Sequence, residues 1–354
     1  MFRPFIIIFA LLIHFQLADA VSFGVFNKSK FRGEKEFSER MKIAAKRLGW
    51  EVSIFEEDEY LKTKPNTYDF VLCLTPKTRD LRFKNEYLVL FDPTHHFFTT
   101  NGTLEAKYRK YAGYLPTYND TKLLEEDLGL DGSRIYSKAW YPLVQYTPYR
   151  KVDPTCLFYF IGSWGNRLQD EKYQTLQHEL SQKPYTRFFG NPKRGEQYGS
   201  AFKGSLPYDG ITTIKEISQM GVCLVLHSDT HIKYEIPSGR IFEAVAASSV
   251  VISDRNPFVV KNFGDTVLYI DQNLSGEEIS KAIDRHMNWI RENREEAIEM
   301  ARKAHCIFEE KFLLESQLLD FYYFVTHESL KLSHENDIES RAVKSLENTL
   351  NYNR

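Results

Sequence analysis

The sequence predicts an α/β protein made of two doubly wound domains that face each other across a cleft. Three observations carry this. Short, almost continuously apolar runs alternate with helical stretches, the pattern of strands buried on both faces of a parallel sheet. The alternation breaks once, at a proline-containing stretch (YPLVQYTPYRKVDPT, 141–155), and then restarts. The chain has 354 residues, 42% apolar and 14% aromatic, which is material for two cores.

The first twenty residues read MFRPFIIIFALLIHFQLADA. Arg3 is a short positive region, residues 5–13 are an apolar core, and Ala18-Asp19-Ala20 fits a small-residue cleavage site. The apolar run is shorter than the roughly 20 residues a membrane span needs. Residues 1–20 therefore read as a cleaved signal peptide, with an uncleaved anchor as the alternative. The expected location is a secretory lumen, the periplasm or the medium, with membrane association through this segment if it stays attached. Sequons begin at Asn27, Asn101, Asn119 and Asn273 and matter where the host glycosylates. Four cysteines, Cys73, Cys156, Cys223 and Cys306, permit disulfides, but Cys73, Cys156 and Cys223 lie in apolar strand-like runs and read as buried free thiols; no CxxC spacing suggests zinc.

From residue 21 the elements follow in order. VSFGVF is a strand. EFSERMKIAAKRLGW spaces its apolar residues as a helix, and EVSIF, YDFVLCL and NEYLVLFD are further strands. Residues 101–150 are less regular. Residue 156 opens the second series: CLFYFIG, TRFFG, GVCLVLH, VVISD and TVLYID are strands, and DEKYQTLQHELSQ, ITTIKEISQM and SGRIFEAVAAS are helices. From GEEISKAI onward the chain is mostly helical, with a polar tail. The expected domains are 21–150 on the acceptor side, 151–308 for a ligand, a crossing helix over 309–330 and a tail over 331–354. Each domain is Rossmann-like, and a ligand is expected at the carboxyl ends of the strands.

Lys plus Arg number 46 and Asp plus Glu 48, so the chain lacks the basic excess of a nucleic-acid binder. No P-loop, G-x-S-x-G, H-E-x-x-H or G-x-G-x-x-G is present. No D-x-D occurs in a suitable loop, which disfavours diphosphate binding through a divalent cation. Neither a metal nor a cofactor is expected.

The richest stretch is YEIPSGRIFEAVAASSVVISD (234–254). A helix starting at Ser238 offers free N–H groups and a positive dipole end to an anion, including the N–H of Gly239. Arg240 adds a bidentate cation. Glu243, one turn on, suits the two hydroxyls of a ribose, and Glu235 suits a remoter set of sugar hydroxyls. Acids near a helix start are also plain capping. Gly162 and Arg167 in FIGSWGNR, and Lys203 in the long connection 188–210, are further phosphate or base contacts, or an ordinary turn and a solvated lysine. His227 and His231 flank the loop before this helix and could bond a phosphate or sugar, His227 at a strand end being equally a satisfied core residue. His95 and His96 in VLFDPTHHFFTT could take a proton from an acceptor hydroxyl, or simply be exposed and packed.

The 225–272 segment resembles the C-terminal donor domain of GT-B glycosyltransferases, with Glu235 and Glu243 matching their E-x7-E element. PSGRIFEAVAASSVVISDRNPF resembles the CgeB-like, glycosyltransferase-family-1-type segment in particular, and the likeness runs more loosely from FIGSWGNR to YIDQNLSGEEISKAI. The resemblance implies a metal-independent transfer of a sugar from a nucleotide-sugar donor to a hydroxyl on a glycan, lipid or protein. It implies that Glu243 holds the ribose, Arg240 and the helix N-terminus the diphosphate, and Glu235 the transferred sugar. The sequence departs from the family after Glu235, where Pro237 and a single Gly239 replace a glycine-rich run. An inverting fucosyltransferase-type enzyme, or a two-domain sugar- or nucleotide-binding protein without turnover, are the alternatives.

Overall fold

The computed structural model describes residues 21–28, 32–64, 67–76, 81–91, 110–117, 125–126, 132–162 and 170–327. Contacts divide the chain into one compact unit ending at Glu315 and another beginning at Ser316, of which 316–327 are described and helical.

The larger unit holds two five-stranded parallel sheets. The first comprises β1 (Ser22–Phe26), β2 (Glu51–Phe55), β3 (Phe70–Cys73), β4 (Glu86–Leu90) and β5 (Gly113–Pro116), in the order β2-β1-β3-β4-β5. Helices α1 (Arg32–Leu48) and α2 (Glu57–Lys62) serve it. The second comprises β6 (Cys156–Ile161), β7 (Thr186–Gly190), β8 (Gly221–Val225), β9 (Val250–Asp254) and β10 (Leu268–Ile270), in the order β7-β6-β8-β9-β10. Its helices are α3 (Glu171–Ser181), α4 (Pro192–Gly195), α5 (Thr212–Met220), α6 (Asp229–Lys233), α7 (Gly239–Ala246), α8 (Pro257–Phe263), α9 (Gly276–Glu292) and α10 (Arg294–Lys311). Strand order is the same in both sheets. In each, the direction of travel reverses between the first and third strands, and that reversal opens a crevice at the carboxyl ends. The doubly wound α/β architecture expected from the sequence is the one present.

Local chemistry explains the boundaries. Every residue of β3, β4, β5, β8 and β9 is buried, as strands covered on both faces must be. Asp170 caps α3, Asn256 caps α8 with Pro257 in its first turn, and Ser275 and Glu278 form a reciprocal capping box on α9. Gly221, between α5 and β8, has φ +79°, and an added Cβ would lie 2.2 Å from the Asp153 carbonyl oxygen. Only glycine fits there.

Two features differ from the sequence reading. The irregular 101–150 stretch contains β5, paired with β4 from Tyr87↔Gly113 to Leu90↔Pro116. Glycine and proline at its ends hide it, and the outermost position in the sheet tolerates the proline. The long C-terminal helical run is broken at Asn293 and again at Phe312, where φ reaches −119° and −129°. Past the second break, Leu314 N–H donates to the Val144 carbonyl, and Glu315 accepts from Tyr146 N–H and pairs with Arg47 of α1.

All four thiols are free: Cys73 and Cys223 are buried, Cys156 is half-buried and Cys306 exposed. Among the sequons, Asn27 is buried and Asn273 exposed, while Asn101 and Asn119 lie outside the described residues. No helix among the described residues is long and apolar enough to cross a membrane; residues 1–20 lie outside them.

Candidate functional site

The carboxyl edges of the two sheets come together through the segment between β8 and α7. Ile236, from that segment, is buried in the same apolar cluster as Phe26, Cys73 and Leu90, the last residues of β1, β3 and β4. Tyr234 packs against this cluster. Glu235 lies between these two anchors, exposed, with φ +56°. This left-handed backbone is costly for a residue with a Cβ. The anchors on either side hold it there.

Ser238 caps α7, its hydroxyl accepting from Arg240 N–H at 3.3 Å. Gly239 lies against Pro142 of the connector, so the start of α7 is seated on the chain that joins the two sheets. The Arg240 guanidinium stacks over Phe160, with its centre 4.6 Å from the ring centroid, and 5.5 Å from that of Phe158.

Glu243 departs from the open, ribose-facing carboxylate that the sequence suggests. It is 6% exposed. Its Oε1 accepts from Arg40 of α1, in the other half of the unit, and its Oε2 is paired with Arg240. Arg40 also reaches Glu36 at 3.0 Å. Four charges, two of each sign, are thus packed together with little water. Burial alone would push the Glu243 carboxyl up; Arg240 and Arg40 beside it outweigh that and hold it below the usual glutamate range. Burial dominates at Glu36 and raises its pKa despite Arg40, with the nearby Glu243 adding to the rise.

These shifts have opposite consequences for stability. Glu243, with a lowered pKa, stabilises the fold above its unfolded value of about 4.5, and this is lost as pH falls through the folded value. Glu36, with a raised pKa, contributes stability that is present below about 4.5 and lost as pH rises through the folded value. Glu36→Gln should therefore raise the melting temperature by a few degrees at pH 7 and leave it nearly unchanged at pH 4. Calorimetric melts at the two pH values check this; an unchanged or lowered melting temperature at pH 7 would contradict it.

His227 follows β8 and is fully buried, paired with Asp254 at the end of β9. His231 contacts Ser228, the cap of α6, at 3.0 Å. Asn256 ties the loop down by donating to the carbonyls of Ile236 and His231. Gly162 is exposed at the end of β6. Lys203 is exposed beside the edge strand β7, its ammonium donating to the Ser200 carbonyl. The structure therefore brings Glu235, Ser238, Gly239, Arg240, Glu243 and His227 into one region and leaves Lys203 at the sheet margin. Arg167, His95 and His96 lie outside the described residues. Among the described residues no three His, Cys, Asp or Glu side chains gather as a metal cage.

Sequence reasoning missed Arg40, Glu36 and Asp254. Glu36 and Arg40 are four apart on an amphipathic helix, which reads as an exposed surface pair. Only tertiary contacts, among them Glu243 of α7 and the backbone at Gly210, bury them. Asp254 stood in view at the end of VVISD, but its partner His227 is 27 residues away.

No protein-family model matches the sequence, and no curated protein matches it. Solved structures do match in shape. The chain is similar to a glycosyltransferase from Rickettsia africae (12% identity, TM-score 0.54, covering 87% of this chain and 99% of that one). It is similar to sucrose-phosphate synthase from Thermosynechococcus elongatus (11% identity, TM-score 0.54, 88% and 100%). It is also similar to HepE of Anabaena in complex with UDP and glucose (11% identity, TM-score 0.53, 89% and 100%). A weaker overlay on TarM of S. aureus (13% identity, TM-score 0.48) covers 72% of this chain and 55% of TarM, about half that protein's length. Two parallel sheets of the same strand order, joined at their carboxyl edges and overlaid along most of their length on such structures, give this chain the GT-B glycosyltransferase fold.

Proposed function

We propose that the protein transfers a sugar from a nucleotide-sugar donor to a hydroxyl of a glycan, lipid or protein, without a bound metal. The observation that carries this is the joined carboxyl edge. There a capped helix N-terminus with Arg240 in its first turn lies next to Glu235, whose backbone is strained and whose carboxylate is exposed. Helix N–H groups and a guanidinium match a departing diphosphate, whose charge grows as the glycosidic bond breaks. Glu235 is then placed for the transferred sugar. The HepE complex with UDP and glucose supports a donor of this chemistry, and the motif over 234–254 supports the CgeB-like branch. The N-terminal segment supports work in a secretory or periplasmic compartment, or at a membrane if it remains attached.

One observation favours the second reading, a protein that binds a sugar or nucleotide without turnover: the carboxylate matched to ribose is engaged by Arg40.

A panel of UDP, GDP, CMP and their sugars separates the readings, scored by thermal shift and by release of free nucleotide with simple glycan acceptors. A ligand confined to the folded state adds about 2.7 kcal/mol at a hundredfold excess over its Kd. A shift with one base plus acceptor-dependent nucleotide release is expected. A shift without release would select the binding protein, and no shift with any nucleotide would overturn the donor assignment.

A further inference from the structure

Helix α7 carries one side chain able to accept a hydrogen bond. Its residues run Gly-Arg-Ile-Phe-Glu-Ala-Val-Ala, and Glu243 is the acceptor among them. The family likeness gives this carboxylate the ribose hydroxyls. In the structure both of its oxygens are already engaged. Oε1 is paired with Arg40 and Oε2 with Arg240. Oε2 is closed to solvent, and the side chains of Arg40 and Glu243 are 3% and 8% exposed.

Arg40 is held from a second side. Its Nη2 meets Glu36 at 3.0 Å. The Gly210 backbone hydrogen-bonds Glu36, and Gln145 of the connector donates to the Gly210 carbonyl at 3.0 Å. A Cβ added to Gly210 would lie 3.1 Å from the Arg40 backbone nitrogen, so the loop before α5 sits directly on α1. Freeing Glu243 for a ligand would break a buried ion pair inside this packed joint. Two neutral hydroxyls do not replace a guanidinium beside a buried carboxylate.

We infer that the donor class extends to sugars carried on 2′-deoxyribonucleoside diphosphates, which the site takes as readily as their ribonucleoside counterparts. This rests on the proposed transfer from a nucleotide sugar. Selection for a hydroxyl comes from a buried partner that is left unpaired when the hydroxyl is missing. Here Arg40 and Arg240 already satisfy that partner. A donor without the 2′-hydroxyl therefore strands no group on α7. Arg40, from the other half of the unit, is the specificity-determining residue, because it holds the oxygen that a ribose would otherwise claim.

The test measures Kd by calorimetry for UDP, GDP, ADP and CDP, each beside its 2′-deoxy counterpart, on wild type and on Glu243→Gln. The expected result is a base for which wild type binds the two forms within about threefold of each other, a ratio that Glu243→Gln leaves unchanged. A 2′-deoxy form bound more weakly than that overturns the inference, whichever residue reads the hydroxyl, and leaves the nucleotide donor in place. A ratio that moves in Glu243→Gln overturns it as well, since the acid would then reach the pentose. If wild type binds no member of any pair, the donor assignment itself fails and this inference with it. Should Glu243→Gln not fold, the wild-type ratio decides.

Discussion

Arg40→Ala should cost about 3–5 kcal/mol of unfolding free energy at neutral pH, because removing one partner of a buried ion pair leaves charge without compensation. Arg40 lies between Glu36 and Glu243, and all three are nearly inaccessible to water. Its loss would leave Glu243 with Arg240 alone and remove the ion pair that Glu36 makes. Arg40→Lys should recover only part of the loss, since the ammonium is a more strongly hydrated point charge on a different stem and is costlier to bury where Nη2 now meets both carboxylates. The deficit should be largest near pH 7 and shrink below about pH 4.5. In wild type the stabilisation from Glu243 is itself lost as pH falls through its lowered pKa, and in the variant protonation relieves the stranded acids. Urea unfolding of the three proteins at pH 7 and pH 4 measures this. A cost under about 1 kcal/mol, or one that does not vary with pH, would mean the cluster does not join the two halves as described. Glu243→Gln adds a second reading: if it lowers stability but not nucleotide affinity, Glu243 is a structural acid here rather than the ribose ligand that the family likeness implies.

Glu235→Gly should lower sugar transfer by about 10–100-fold, the loss of a charge-assisted hydrogen bond to the transferred sugar, while stabilising the fold by about 1 kcal/mol. The two effects have separate origins. The gain comes from the backbone, since glycine adopts φ near +56° without a Cβ penalty. The loss comes from the carboxylate. Glu235→Asn, which tolerates the same backbone, and Glu235→Ala, which does not, separate the two terms. Steady-state rates and melts of the three variants carry the test. Full transfer by Glu235→Gly would reduce the strained glutamate to a turn residue and remove it from the chemistry.

Much of the fold was open to sequence reading because strands covered on both faces need short runs of Val, Ile, Leu and Phe, which here alternate with helical stretches. FVLC, EYLVL, GVCLV and VVISD were visible on that ground. The short GYLP strand was not, since its pairing with β4 comes from the neighbouring strand rather than from its own propensity. Along the site, the Ser238 cap and the first turn of α7 were legible because a cap acts within three residues.

The sequence by itself determined two parallel α/β sheets, the connector between them and a chemically rich loop entering α7. Tertiary structure alone decided what that loop does with its charges. Glu243 faces inward because α1 packs across it and presents Arg40, 203 residues earlier in the chain. Glu235 is held in a left-handed turn because Tyr234 and Ile236 are anchored in the core of the other sheet. His227 acquires its carboxylate only when β8 and β9 lie side by side. Each contact joins groups distant in sequence, and a charge is fixed by its neighbours in space, which local patterns do not encode.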